Sequence, residues 1–242
     1  MMNIFRQALQ LIRFELDVSK KHYLTLLFLA GIYTFFLSLS IPPYLEEHVF
    51  ILDVLLIIFL CTLSFAIKPK NFQYQKIDDH LYGSPYFSML NQLPIKRSVL
   101  ITSRFILPFI SIIAGITLLL VGTYILSPEL RSTVNPVELI ALIVMWICIS
   151  FCIGGLFPAS DPGDEIKRFT FFWSYASIVL FFAGLYLIFQ VWLDTGLFKW
   201  TIYLASEFTL LSILGSILIA CLVTWYWFRH ANRQVQKIDY LQ

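Results

Sequence analysis

Charge is scarce in this chain: Asp, Glu, Lys and Arg make up 13% of the 242 residues, and hydrophobic residues make up 59%. A soluble globule needs polar side chains to cover its surface, so a composition this apolar excludes the ordinary water-soluble domain. The formal net charge of +2 excludes the broad basic surface that nucleic-acid binding requires. Only four cysteines occur, Cys61, Cys148, Cys152 and Cys221, all inside apolar runs, which argues against a disulfide framework. Cys148 and Cys152 stand one helical turn apart without a histidine or carboxylate on that face, so no metal site is expected.

Catalytic signatures are absent too. The four histidines, His22, His48, His80 and His230, lie at or beyond the ends of apolar runs, and no His-Glu-x-x-His or Gly-x-Ser-x-Gly pattern occurs. Glu46-Glu47-His48 and Asp78-Asp79-His80 fall in loops and read as solvated charge. There is no Gly-x-x-x-x-Gly-Lys-Ser/Thr phosphate loop, and no interval between apolar runs has the length of a nucleotide-binding domain. No fixed-period repeat or low-complexity tract is visible.

What is present is a series of long apolar runs. A helix needs about 20 mostly apolar residues to cross a bilayer, and six runs qualify: 22–41, 49–67, 99–126, 137–157, 169–193 and 208–228. The first is too long for a signal-peptide core and ends in Ile41-Pro42-Pro43 without a small-residue cleavage site. These runs predict an all-α integral membrane protein, a single transmembrane domain over 1–242 with six spans.

Orientation follows from lysine and arginine next to the spans. Arg6, Arg13, Lys20, Lys21, Lys68, Lys70, Lys76, Lys96, Arg97, Arg104, Lys167, Arg168, Arg229, Arg233 and Lys237 all fall on one side. The opposite loops hold Arg131 and Lys199 among Glu46, Glu47, Glu129, Asp194 and Glu207. The basic side is expected to be cytoplasmic, with both termini there, in a multi-pass cell-membrane protein.

Two further elements are expected on that side. Residues 1–20 carry Ile4, Phe5, Ala8, Leu9, Ile12 and Leu16 at helical spacing, opposed by Arg6, Gln10, Arg13 and Asp17. That pattern predicts an amphipathic helix lying on the membrane; the alternative is an overlong first span. Between spans two and three, Ser84 is a good N-cap and Pro85 a good first helical residue. Tyr82, Tyr86, Met89, Leu90 and Leu93 then share one face and Pro94 ends the helix, giving a short helix over 84–93. Its apolar face is to be covered by the same protein, by lipid, or by the groove of a cytoplasmic partner.

Within the spans, Asp53 is the one carboxylate well inside, about a turn from the outer end of helix two. It reads either as an interfacial side chain or as a translocation-path residue. Glu138 and Glu207 at span starts read as headgroup-level charge, and Pro108 is expected to kink span three. Ser212, Ser216, Ala220 and Thr224 recur every four residues, a packing seam. The aromatic segment 194–206 reads as an interfacial belt or a re-entrant gate.

Leu93-Pro94-Ile95-Lys96-Arg97-Ser98-Val99-Leu100, followed by Arg104 and Phe105 at the start of an apolar span, resembles permease subunits of export-type ABC transporters, the type-two ABC membrane-protein family. The amphipathic first helix, six spans and short outer loops are similar in layout along the whole chain. The resemblance implies that the 84–93 helix is a coupling helix docking on a cytoplasmic ABC ATPase through Tyr86, Met89, Leu90 and Leu93. Lys96, Arg97 and Arg104 would anchor its end at the headgroups. It also implies a second permease copy or related permease, ATP and Mg on the partner rather than any cofactor in this chain, and no enzymatic activity of the chain itself. The many aromatics suit an apolar or amphipathic cargo such as a peptide, lipid or drug, and equally suit lipid contact. The rival readings are an integral membrane enzyme and a non-transporting immunity or sensory protein.

Overall fold

The computed structural model describes residues 2–47, 49–66, 68–69, 72–77, 81–165 and 168–237. His48, Lys70, Asp78, Asp79, His80 and Lys167, named above among the loop charges, lie outside the described residues. The chain is all-α, 86% helical, with one small sheet that the sequence reading did not foresee.

The amphipathic segment forms α1 (Met2–Val18), and the helix is interrupted at Ser19 before α2 (Lys20–Glu47) begins, so α1 is not the overlong start of α2. Its stripe divides: Ala8 and Ile12 are buried, while Phe5 and Leu9 are exposed at the flank. The apolar face is thus shared between protein and surroundings, a wider stripe than either contact alone would use.

Helix α2 continues through Pro42 and Pro43 to Glu47, past the point where the sequence reading ended it. Two prolines remove two backbone donors, a loss that ordinarily ends a helix. Here the last turn is held from outside, because buried Tyr44 donates a 2.6 Å hydrogen bond to Asp53 of α3 (Phe50–Ala66).

Among the described residues five helical stretches are long and apolar enough to cross a membrane: Lys20–Glu47, Arg97–Leu126, Pro136–Ser160, Phe172–Trp192 and Thr209–Lys237. The second expected span, α3, is apolar but shorter at 17 residues, about 25 Å at 1.5 Å per residue.

Helix α4 (Pro85–Asn91) precedes α5 (Arg97–Leu126), which carries Pro108 without losing helicity; α6 (Pro128–Thr133) and α7 (Pro136–Gly154) follow. Asn135 and Glu138 form a reciprocal capping box at the start of α7: the Asn135 side chain accepts from Val137 and Glu138 N–H, and Glu138 accepts from Asn135 N–H. Glu138 therefore serves as a helix cap rather than as loose interfacial charge. After α8 (Leu156–Ser160) come α9 (Arg168–Tyr186), which ends in a π-helical turn over Leu187–Trp192, then α10 (Leu197–Glu207) and α11 (Thr209–Lys237). The segment read as belt or gate is thus a helix, with Phe198, Thr201, Ile202 and Ala205 buried.

The main core lies between α2, α3, α5, α7 and α10, around Leu37, Tyr44, Phe59, Leu60, Ile112, Leu119, Trp146 and Phe198. The small-residue seam faces inward on α11: Ala220 is buried, Ser212, Ser216 and Thr224 are half-buried, and α11 packs chiefly on α7 of the same chain. Small side chains let the two backbones approach.

Candidate functional site

Most of the basic residues gather at one end of the bundle, where the 68–97 segment meets the 155–165 segment. Strands β1 (Gln75–Lys76), β2 (Leu81–Gly83) and β3 (Asp164–Glu165) pair antiparallel in that order, with Gln75 opposite Gly83 and Tyr82 opposite both Lys76 and Asp164. Gly83 is required here, because a Cβ would come within 2.9 Å of the Gly163 Cα. Below the sheet Lys68 and Asp161 form a buried ion pair at 2.7 Å, with side chains 5% and 1% exposed. Lys68, one of the basic-side charges that set the expected orientation, is therefore held inside the fold. Asp161 stands 93 residues away, so no local pattern pointed to the pair.

This platform holds α4. Ser84 accepts from Phe87 N–H at 3.4 Å, donates to the Phe72 carbonyl at 3.1 Å, and gives its own N–H to the Asp161 carbonyl at 3.0 Å. Pro85 occupies the first helical position, as the sequence indicated. Phe87 and Leu90 are fully or nearly buried against Leu100, Ile101 and Phe105 of α5, with Ala159, Ala231 and Val235 beneath.

The four proposed docking residues therefore do not share one exposed face. Leu90 is 4% exposed and belongs to the chain's own core, which removes it from any partner groove. Tyr86 is half-buried, its ring 4.2 Å from that of Phe72 and 5.1 Å from the Arg104 guanidinium; burial pushes its phenol up from the ordinary range. Met89 and Leu93 remain 51% and 48% exposed, and Lys96 and Arg97 are exposed beside them.

Arg104 needs a second correction. It is not a headgroup anchor: it is 2% exposed and ion-paired through Nη2 with Glu15 of α1, itself 1% exposed. A buried guanidinium without a counter-charge is very unfavourable, which explains why the amphipathic helix carries an acid on its inner face. Nε and Nη1 meet no acceptor among the described residues, and the Tyr86 ring face covers the cation on the α4 side. The residues Glu15, Arg104 and Tyr86 thus join α1, α5 and α4 at one point. Glu15 gave no signal in the sequence, because a single acid in an amphipathic helix reads as part of its polar face and its partner is 89 residues distant.

Beside this junction is a cavity of about 730 Å³, lined by Tyr74, Asp161, Asp164, Trp227, His230 and Gln234 among others. Burial raises the Asp164 carboxyl above its ordinary value, while His230 and Lys237 pull it back. Burial and the neighbouring Asp164 and Tyr82 also push the Tyr74 phenol upward.

At the opposite end, Asp53 is 1% exposed and neither snorkels to an interface nor stands bare. Its carboxylate accepts from Tyr44 OH and, at 2.8 and 3.1 Å, from the Leu197 and Phe198 N–H groups at the start of α10. Tyr44 OH also accepts from Phe198 N–H at 3.1 Å, and Gly196 makes room for the Tyr44 ring, which a Cβ would strike. An anion at a helix N-terminus satisfies orphan donors and the helix dipole together. Asp53 thus ties α2, α3 and α10 into one junction.

Among the described residues no group of three or more His, Cys, Asp or Glu side chains converges in a way that would hold a metal ion. No family model, no curated protein and no solved structure matches the chain. The composition and the five long apolar helices define it as a helical, multi-pass membrane protein.

Proposed function

We propose that the chain is the membrane-spanning permease subunit of an ATP-driven exporter, moving an apolar or amphipathic substrate across the cell membrane with energy from a separate ATPase. The observation that carries this reading is α4: a short capped helix fixed to the start of α5 by Phe87 and Leu90 while presenting Met89 and Leu93 outward beside Lys96 and Arg97. An exposed apolar pair on a rigidly seated helix suits the helix-in-groove mode of recognition, in which the partner covers what the chain leaves uncovered.

In this reading the basic end is cytoplasmic and α3 completes six crossings. Its roughly 25 Å falls short of the ~30 Å hydrocarbon core, a mismatch that local thinning or flanking side chains accommodate at modest cost. ATP and Mg belong to the partner. Closure of two ATPase subunits would pull α4, and the pull would pass to α5 through Phe87 and Leu90 and to α1 through Tyr86, Arg104 and Glu15. Packed elements with two arrangements transmit such a shift between inward- and outward-facing states. Helix α9 supplies a surface for a second permease, since only 6% of its apolar window is buried within the chain.

Purification from gently solubilised membranes tests the assignment. A nucleotide-binding ATPase is expected to accompany the chain and to hydrolyse ATP in the complex; a chain that purifies with no ATPase under conditions preserving its fold contradicts it.

A further inference from the structure

Near the basic end a groove of about 560 Å³ opens between α5, α7 and α11. Phe109 and Phe151, stacked at 4.2 Å, line it together with Trp225, Phe228 and the small side chains of Ala220 and Thr224. Among the described residues no Asp, Glu, Lys or Arg lines it. Along α11 it runs from Ile217 to Phe228, about 16 Å at the helical rise, close to half the ~30 Å hydrocarbon thickness. It therefore has the depth of one leaflet and sits in a helix that is apolar over that length.

Its mouth is charged. Arg229 follows Phe228 directly, and its guanidinium lies 5.3 Å from the centroid of Trp225, one turn back. Stacking on a groove-lining ring fixes the height of that cation at the groove's end. An apolar slot one leaflet deep, ending beside the Arg229 guanidinium, is complementary to a single lipid with a negative headgroup.

We propose that this groove binds one acyl chain of an anionic phospholipid, with the phosphate held at Arg229. The site is independent of whether the chain serves a transporter. A second protein chain is the less complementary occupant, because a protein helix would leave the stacked cation without a counter-charge.

The test uses the full chain in a background, called wild type below, in which the exposed Trp173 and Trp192 are replaced by Phe, reconstituted in phosphatidylcholine vesicles in which either phosphatidylglycerol or phosphatidylcholine carries brominated acyl chains, quenchers of adjacent tryptophan. In the wild type, quenching is expected at about fivefold lower mole fraction for brominated phosphatidylglycerol, the preference that one basic side chain at the headgroup level supplies. Arg229→Gln, an exposed position, should remove that preference and leave the fold intact. Thr224→Leu should fill part of the groove and reduce the tryptophan quenching. Equal half-quenching fractions for the two headgroups in the wild type, a preference that survives Arg229→Gln, or one insensitive to a folded Thr224→Leu would each overturn the proposal.

Discussion

Helices α5 and α9 are both apolar enough to cross a membrane, yet 50% of the α5 window is buried inside the chain against 6% of the α9 window. Hydropathy alone does not separate them. Helix α5 receives α1, α2, α3, α4 and α7 and carries the buried Arg104, whereas α9 presents Phe172, Tyr175, Val179 and Trp192 outward. In lipid there is no hydrophobic gain from packing one apolar helix on another, so association follows close packing and polar links. The difference teaches that α5 is located by this chain's own contacts, while α9 is located by lipid or by another protein.

The sharpest way to break the comparison is to attack the polar link in α5. Arg104→Leu leaves Glu15 buried without its counter-charge, and losing one member of a buried pair costs about 3–5 kcal/mol. Thermal unfolding in detergent should show a large fall. Glu15→Gln with Arg104→Leu together should recover part of it, since the stranded carboxylate is then gone.

A smaller fall is expected at the Asp53 junction. Asp53→Ala removes the acceptor of the Leu197 N–H and of Tyr44 OH, while the Phe198 N–H keeps Tyr44 OH as its acceptor, at about 1–3 kcal/mol for each group left unsatisfied. The loss should be accompanied by faster proteolysis near α10, because its first turn loses its cap.

Smaller still is the effect of pH on the sheet. Burial raises the Asp164 carboxyl, so the folded chain holds that proton more tightly than the unfolded chain does. The contribution of this group to stability therefore falls as pH rises from below the ordinary carboxylate range through the raised value. Asp164→Asn should flatten that part of the stability–pH curve. At the bottom of the scale, Val179→Ala and Tyr175→Phe on α9 should change the stability of the solubilised single chain by no more than about 0.5 kcal/mol, as exposed positions ordinarily do.

The parts of this architecture that were legible in the sequence are the ones set by local pattern. The apolar runs, the amphipathic α1 and the Ser84-Pro85 start of α4 each follow from spacing or capping within a few residues. What escaped were pairings over distance: Lys68 with Asp161, Arg104 with Glu15, and Asp53 with the start of α10. Periodicity says which face a charge occupies but not what meets it there, so Arg104 reads as a headgroup anchor, Lys68 has no expected partner, and Leu90 reads as a docking residue. The prolines at 42 and 43 misled for the same reason, since the contact that stabilises the last turn of α2 comes from α3 and α10.

The central claim, that the exposed side of α4 receives an ATPase while its inner side transmits the motion, is tested most directly by comparing two substitutions in the same purification. Met89→Asp with Leu93→Asp alters only exposed side chains, and Leu90→Asp alters a buried one. The exposed pair is expected to abolish ATPase retention with the unfolding temperature of the chain unchanged, whereas Leu90→Asp lowers that temperature by burying a carboxylate in the α4–α5 core. Full retention of the ATPase by a folded Met89→Asp, Leu93→Asp variant would contradict it.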